Sequence, residues 1–345
     1  MTTLFIKNLY AKCKMHGTGD AQVVLSDDEL YALVVIALSD LGWIDSNLHT
    51  RKIVLPSNNY YEIPLGWFEG LSIAATAVDI METVTFAKNK GEDFVLYIDN
   101  LAALHRRRVK YRRILSAQPM PTMDQIGPRV LLEFGSCESR LLANWMTWRK
   151  WIYDIDNRAA QETGYVFEPI IASCLGGESI GARNSPVKRV DDNGNRTGNG
   201  RQIDCYVPSS NIAYELKLRV TIAASGQGRF GEELSFPSEC QAAGISPVLL
   251  VLDPTPSNRL NELSRKFLDC GGEFYQGENA WRYMEDKSGE VVSVFIEKYI
   301  RPVISEIEDI QLTTLEQVTL TWEDQEILIS GSGSTYQIKR HQSGD

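Results

Sequence analysis

The sequence holds no apolar run of about 18 residues or more, so it offers no membrane-spanning helix. Its opening, Met1 to Lys7, lacks the pattern of a secretory signal. Histidine is scarce: His16, His49, His105 and His341 form no H-E-x-x-H pair, which argues against zinc hydrolase chemistry. The six cysteines are scattered, with no C-x-x-C. That argues against a zinc site and a disulfide framework, and for a reducing, cytoplasmic setting. Positive charge is in deficit, 35 Lys and Arg against 45 Asp and Glu, for a net charge of −10. A non-specific nucleic-acid coat is therefore disfavoured, while a specific binder depends only on local charge. No internal repeat is apparent.

What is present is ordinary for a soluble globular chain: 43% hydrophobic and 23% charged over 345 residues, enough for two domains or one large one with additions. Two stretches run against the acidic average. Residues 105–113 carry six Arg or Lys in nine, among them Arg106, Arg107, Arg108 and Lys110. Residues 181–201 carry Arg183, Lys188, Arg189, Arg196 and Arg201 against Asp191 and Asp192. The first stretch is predicted to lie on a helix over 100–116, with positions 106, 110 and 113 on one face. It is either a solvated basic face or a helix that contacts phosphates.

Along the chain, residues 1–130 read as a mainly helical region with a few short strands, supplying DNA contacts or dimer surface. Ser26-Asp27-Asp28-Glu29 is a capping box that opens a helix over 30–41, stopped at Gly42. Residues 53–55 read as a short strand, 64–90 as one long helix, and 94–98 as a strand or a helix start. Gln118-Pro119-Met120-Pro121 marks the best boundary. A long helix over 136–164, with a possible break near Asp154, carries Trp145, Trp148 and Trp151. Tryptophans at that spacing belong to a core or dimer interface more often than to a base-stacking platform. A separate helix is predicted from about residue 165 to Gly176-Gly177, with Glu168 in or just before its first turn, ahead of Pro169. A strand over 186–190 and a turn-rich loop over 191–195 follow. After the two strands described next come a helix over 232–243, a buried strand over 248–252, an amphipathic helix over 258–268 and a terminal hairpin over 318–339. The expected architecture is α/β, a central mixed sheet flanked by helices. It is divided into 1–130, a catalytic domain over 131–300, and a C-terminal extension over 301–345.

The chemistry concentrates in Gly198-Asn199-Gly200-Arg201-Gln202-Ile203-Asp204-Cys205-Tyr206-Val207 and Asn211-Ile212-Ala213-Tyr214-Glu215-Leu216-Lys217-Leu218. These read as two short strands joined by a turn at Pro208. Glu215 and Lys217 are two apart, so they share a strand face. Asp204 stands on the neighbouring strand among apolar residues. Charges in such a sheet need a partner, either a metal ion or each other. The alternative is a surface ion pair worth little.

The string Asp204-x10-Glu215-x-Lys217, preceded by a helix bearing Glu168 and followed by a helix and a buried strand, resembles the PD-(D/E)XK nuclease core over about residues 157–254. Gly-x-Gly-Arg-Gln-Ile-Asp and Tyr-Glu-Leu-Lys resemble the type II restriction endonucleases, the ApaLI-like group in particular. Ile203 stands where the motif has proline. The resemblance implies Mg²⁺-dependent, sequence-specific hydrolysis of double-stranded DNA by a homodimer. Asp204, Glu215 and the Leu216 carbonyl would hold the metal, and Lys217 would lie near the attacking water. Glu168 would hold a water or a second ion, with Glu162 as its rival. Arg219, Arg229 and Gln241 join the basic candidates for DNA contact, and residues 224–240, including Glu232 and Glu233, have a composition suited to base reading. A structure-specific repair or recombination nuclease is the alternative enzyme. A non-catalytic DNA-binding regulator working through residues 106–113 is the alternative of another class.

Overall fold

The computed structural model describes residues 2–15, 22–44, 53–191, 196–218, 227–308, 310 and 317–341. These divide into two compact units, residues 1–163 with 298–345, and residues 164–297.

The first unit contains helices α1 (Thr2–Lys14), α2 (Asp27–Asp40), α3 (Leu65–Glu69), α4 (Ala77–Lys90), α5 (Phe94–Ala117) and α6 (Met123–Ile126). The capping box at Ser26 opens α2 as expected, with the Glu29 amide donating to Ser26 Oγ at 3.1 Å and the Ser26 amide to Glu29 Oε2 at 2.6 Å. The single helix expected over 64–90 is instead two. Thr76 and Asp79 form a second capping box that starts α4. Ahead of it the chain is held out of the helix, because the Asp28 carboxylate accepts the amides of Ile73 and Ala75 at 2.9 and 2.7 Å around Ala74, which stands at φ +55°. Residues 53–55 form no strand, and 94–98 begin a helix.

The basic run does lie on a helix, α5, but Arg106, Arg107 and Arg108 are engaged by neighbouring backbone, while Arg112 and Arg113 are exposed. Arg106 is only 8% exposed and donates to the Cys13 carbonyl. Arg107 donates to the Ala159 carbonyl at 3.1 Å. Arg108 lies over the Tyr60 ring and donates to the carbonyls of Tyr60 and Ile63, both at 3.3 Å. Five N–H donors on a planar fork suit an arginine to satisfying loop carbonyls. Arg106, Arg107 and Arg108 are therefore internal ties, which corrects the reading of these three as phosphate contacts. Lys110 is half-buried on the same helix. Arg106→Ala should lower the melting temperature, with a loss of about 2 kcal/mol. It should leave the salt dependence of DNA binding unchanged, the slope moving by well under ~1. Thermal unfolding and a salt titration of the same preparation check both.

Helix α7 runs unbroken from Ser139 to Cys174 through Pro169, where two helices were expected. Proline removes one backbone bond, a loss a long packed helix tolerates. Trp151 is buried with Leu115, Ile155, Ile327 and Ile338, and Trp148 packs against them, while Trp145 is exposed. The tail over residues 319–339 is a three-stranded antiparallel sheet rather than one hairpin. Asp324, at φ +48°, turns the chain a first time, and Ser332-Gly333 turn it again.

The second unit holds the central sheet. Its strands are β1 (Glu178–Ile180), β4 (Ile203–Val207), β5 (Ile212–Lys217), β6 (Ser246–Val251) and β7 (Glu273–Gln276), in the order β1-β4-β5-β6-β7. A separate ribbon pairs β2 (Lys188–Val190) with β3 (Arg196–Gly200). The pairs β1–β4 and β4–β5 are antiparallel, and β5–β6 and β6–β7 are parallel. The mixed sheet was expected, although β1, β3 and β7 were not. Helices α8 (Gln227–Ala242) and α9 (Asn258–Asp269) cover one face, with Phe236, Cys240, Leu260, Leu263 and Phe267 packed on Ala213, Leu249 and Val251. Burying each such large side chain contributes about 2 kcal/mol. On the other face Cys205 Sγ contacts the Ala172 carbonyl of α7 at 3.7 Å, and the Tyr214 hydroxyl meets that of Tyr283 at 3.1 Å on α10 (Glu278–Lys287). Helices α11 (Glu290–Phe295) and α12 (Arg301–Glu308) follow, then β8 (Thr319–Glu323), β9 (Glu326–Gly331) and β10 (Ser334–Lys339).

Candidate active site

Strands β4 and β5 are registered Val207 to Ile212 and Cys205 to Tyr214. Beyond that last pair a side chain takes over from the backbone. Asp204 Oδ2 accepts the Leu216 amide at 3.0 Å. Within a strand a residue's N–H and C=O project to the same side, so the Leu216 carbonyl faces the Asp204 side as well. Continued by one step, the register sets Asp204 opposite Glu215, with Lys217 two residues further on the same face.

Glycines let the frame close. A Cβ on Gly200 would stand 1.8 Å from the Ala182 carbonyl oxygen, and one on Gly177 would stand 2.6 Å from Cys205 Sγ. Gly200 of the Gly-Arg-Gln-Ile-Asp stretch is therefore required by the close approach of the chain before β2.

Lys217 Nζ donates to Glu215 Oε1 at 2.9 Å and to Glu233 Oε1 at 3.0 Å. All three side chains are largely withdrawn from solvent, at 18%, 14% and 15% exposure. Burial disfavours the ammonium, yet the two carboxylates outweigh it and hold the Lys217 pKa above the usual lysine range. The Asp204 carboxyl is pushed well up, first by burial and then by the charge of Glu215, against the Leu216 amide and Lys217. The Glu168 carboxyl is also raised, by burial and by Glu215, with Lys217 opposing. Glu168 thus lies within electrostatic reach of the acid–lysine set. It projects from within α7, near the end of that helix, not from a helix start, so the macrodipole does not explain its place. The side chain of Glu162 lies outside the described residues.

Among the described residues, no three of His, Cys, Asp or Glu are grouped to hold a metal. The set that does converge is two carboxylates with a carbonyl beside them, hard oxygens that suit a small divalent ion keeping most of its waters. The charge balance of the site fits such an ion. Burial, and then the charge of Glu215, hold the Asp204 carboxyl high despite the Leu216 amide and Lys217. A hollow of about 820 Å³ is lined by Tyr275, Gln276, Arg282 and Tyr283 among others, and by none of these charged groups.

The remaining candidates separate by burial. Arg201 is 7% exposed, lies 3.4 Å from Glu239 and donates to the Glu232 carbonyl at 2.5 Å, so it braces the sheet and is removed from the DNA-contacting set. Arg183 and Gln241 are exposed, Lys188 is half-buried on the ribbon, and Arg189 pairs with Glu232 at 3.1 Å in solvent. Arg219, the side chain of Arg229 and residues 192–195 lie outside the described residues. Glu233, grouped by composition with base readers, is turned toward Lys217. Its place on the core face of α8, in line with Phe236 and Cys240, is the signal that would have separated it from Glu232.

The profile of the ApaLI-like restriction endonuclease family matches residues 48–301. The chain belongs to the ApaLI-like restriction endonucleases. It is also 39% identical, over 336 residues, to the type II restriction enzyme ApaLI of Acetobacter pasteurianus, covering 94% of this chain and 88% of that protein. No solved structure matches the chain. A restriction endonuclease is a site-specific deoxyribonuclease, so this ApaLI-like chain is an enzyme that acts on DNA, and the regulator and repair-nuclease readings fall away. Type II restriction endonucleases generally need a divalent metal. Among the described residues no helix is long and apolar enough to cross a membrane.

Proposed function

We propose that the chain is a Mg²⁺-dependent type II enzyme that hydrolyses phosphodiester bonds at one palindromic sequence in double-stranded DNA, working in the cytoplasm as a homodimer. The observation that carries the site is the convergence of Asp204, Glu215 and Lys217 on one face where β4 and β5 part. Asp204, Glu215 and the Leu216 carbonyl would hold the ion. When bound, such an ion neutralises charge on the scissile phosphate and lowers the pKa of water. Lys217 places its ammonium beside the reacting phosphate, orients the attacking water and offsets developing negative charge. Glu168, within electrostatic reach of Glu215 and Lys217, would hold a water or a second ion.

Arg183, Lys188, Arg189 and Gln241 form the DNA-contacting set, joined by Arg219 and Arg229. Arg189 exchanges its exposed pairing with Glu232 for a phosphate at small cost. Two-fold symmetry matches a palindrome, with one site per strand. Leu141, Trp145 and Ile152, exposed along α7, and the exposed Leu131, Leu132 and Phe134 give the dimer an apolar surface.

Digestion of a sequenced plasmid with Mg²⁺, with the ends mapped, tests the reading. Discrete fragments sharing one palindrome at their ends are expected. A smear, or cutting only at branches, would sink it.

A further inference from the structure

Lys217 has two anionic partners, and the reading above assigns only one of them a task. Glu215 sits on its own strand, two residues away. Glu233 reaches it from α8 at 3.0 Å, with its side chain 15% exposed. The position is built rather than incidental. Phe236 and Cys240, three and seven residues on, are fully buried against the sheet, so Glu233 continues the core face of α8 to the edge of the site. Its neighbour Glu232 points away, to Arg189 on the ribbon. Glu233 also carries a cost, because its Oε2 is buried without a partner. Orphaned buried oxygens are uncommon in folded proteins and destabilise them by about 1–3 kcal/mol. A carboxylate kept there at that cost serves something other than packing.

We propose that Glu233 is a positioning residue for Lys217. A Glu215 oxygen engaged by a divalent ion is no longer available to the ammonium at 2.9 Å. With Glu215 as its sole tether, the flexible lysine would be released at the moment it is needed. Glu233 lies on a different element and is not among the ion's holders, so its bond to Nζ survives the exchange. The ammonium stays neutralised and in place, while Glu215 is free to change partners. The inference rests on the reading of Asp204 and Glu215 as ion holders.

The test compares Glu233→Gln, which keeps the shape and loses the charge, with Glu233→Asp, which keeps the charge and loses length. Asp204→Asn is carried alongside. Single-turnover cleavage in Mg²⁺, DNA affinity in Ca²⁺, and Ca²⁺ binding heat of the DNA-free protein are measured, with melting curves to establish folding. Glu233→Gln should slow cleavage about 100-fold and Glu233→Asp about 10-fold. Both should keep DNA affinity and Ca²⁺ binding within about 3-fold of wild type. A purely structural glutamate predicts the reverse order, since the isosteric amide disturbs packing less. Wild-type cleavage by Glu233→Gln, or a Gln variant faster than the Asp variant, overturns the proposal. Ca²⁺ binding weakened by more than about 10-fold also overturns it, by making Glu233 a holder of the ion. Failure of the underlying reading looks different: Asp204→Asn would then bind Ca²⁺ and cleave like wild type.

Discussion

Lys217→Ala should reduce single-turnover cleavage by about 10³-fold or more, while DNA binding measured in Ca²⁺ changes by no more than about 3-fold. The split follows from the position of the side chain. Its ammonium lies between Glu215 and Glu233, largely out of solvent, where a charge aimed at a reacting phosphate is worth far more than in water. Removing it leaves two partly buried carboxylates facing each other unneutralised, so a lower melting temperature is expected too. A lysine serving the fold alone would show that drop in stability with cleavage nearly intact among the molecules that remain folded. Measuring the rate per folded molecule separates the two cases.

Asp204→Asn should abolish cleavage to a similar degree and, unlike most substitutions at a half-buried position, stabilise the metal-free protein. Burial and then the charge of Glu215 raise the Asp204 carboxyl above its unfolded value. The folded chain therefore holds a proton that the unfolded chain releases. Between the unfolded pKa and the raised folded pKa, stability falls as pH rises, and above the folded pKa the whole contribution is lost. At neutral pH an asparagine has no charge to bury, so the variant should melt about 2–4 °C higher. A divalent cation should reverse the ranking, raising the melting temperature of wild type and leaving the variant unmoved. Because ion and proton compete for the same oxygens, the affinity of wild type for the ion should rise with pH through the acidic range. Melting curves with and without Ca²⁺ at several pH values check the whole set. A variant that melts lower than wild type without metal would contradict it.

The strand pair at the centre was legible because period-two spacing puts Glu215 and Lys217 on one face whatever the rest of the chain does. Its apolar neighbours Ile203, Cys205, Tyr214 and Leu216 declared a sheet with a core. The buried run of β6 and the amphipathic pattern of α9 were legible for the same reason. Elements decided by polar detail were harder to see. Thr76 and Asp79 restart a helix inside a stretch whose apolar content reads as continuous, and the Asp28 carboxylate that gathers the amides of residues 73–75 comes from far along the chain. Strand β7, four residues at the sheet edge, is too short and too exposed to show a period. Arg106, Arg107 and Arg108 of α5 were misread because composition records how many cationic groups a helix carries, not which carbonyls they meet. Glu232 and Glu233 show the same limit at the site. Adjacent and identical, they differ only in the face of α8 they occupy, and that face was fixed by Phe236 and Cys240, not by the glutamates.

The most direct test is to locate the ion itself. Crystals grown with DNA and soaked in Mn²⁺ should give an anomalous difference peak bounded by Asp204, Glu215 and the Leu216 carbonyl, with Lys217 still bonded to Glu233. A strong peak elsewhere in the protein, or none at these oxygens in crystals whose DNA is cut in solution by the same ion, would contradict it.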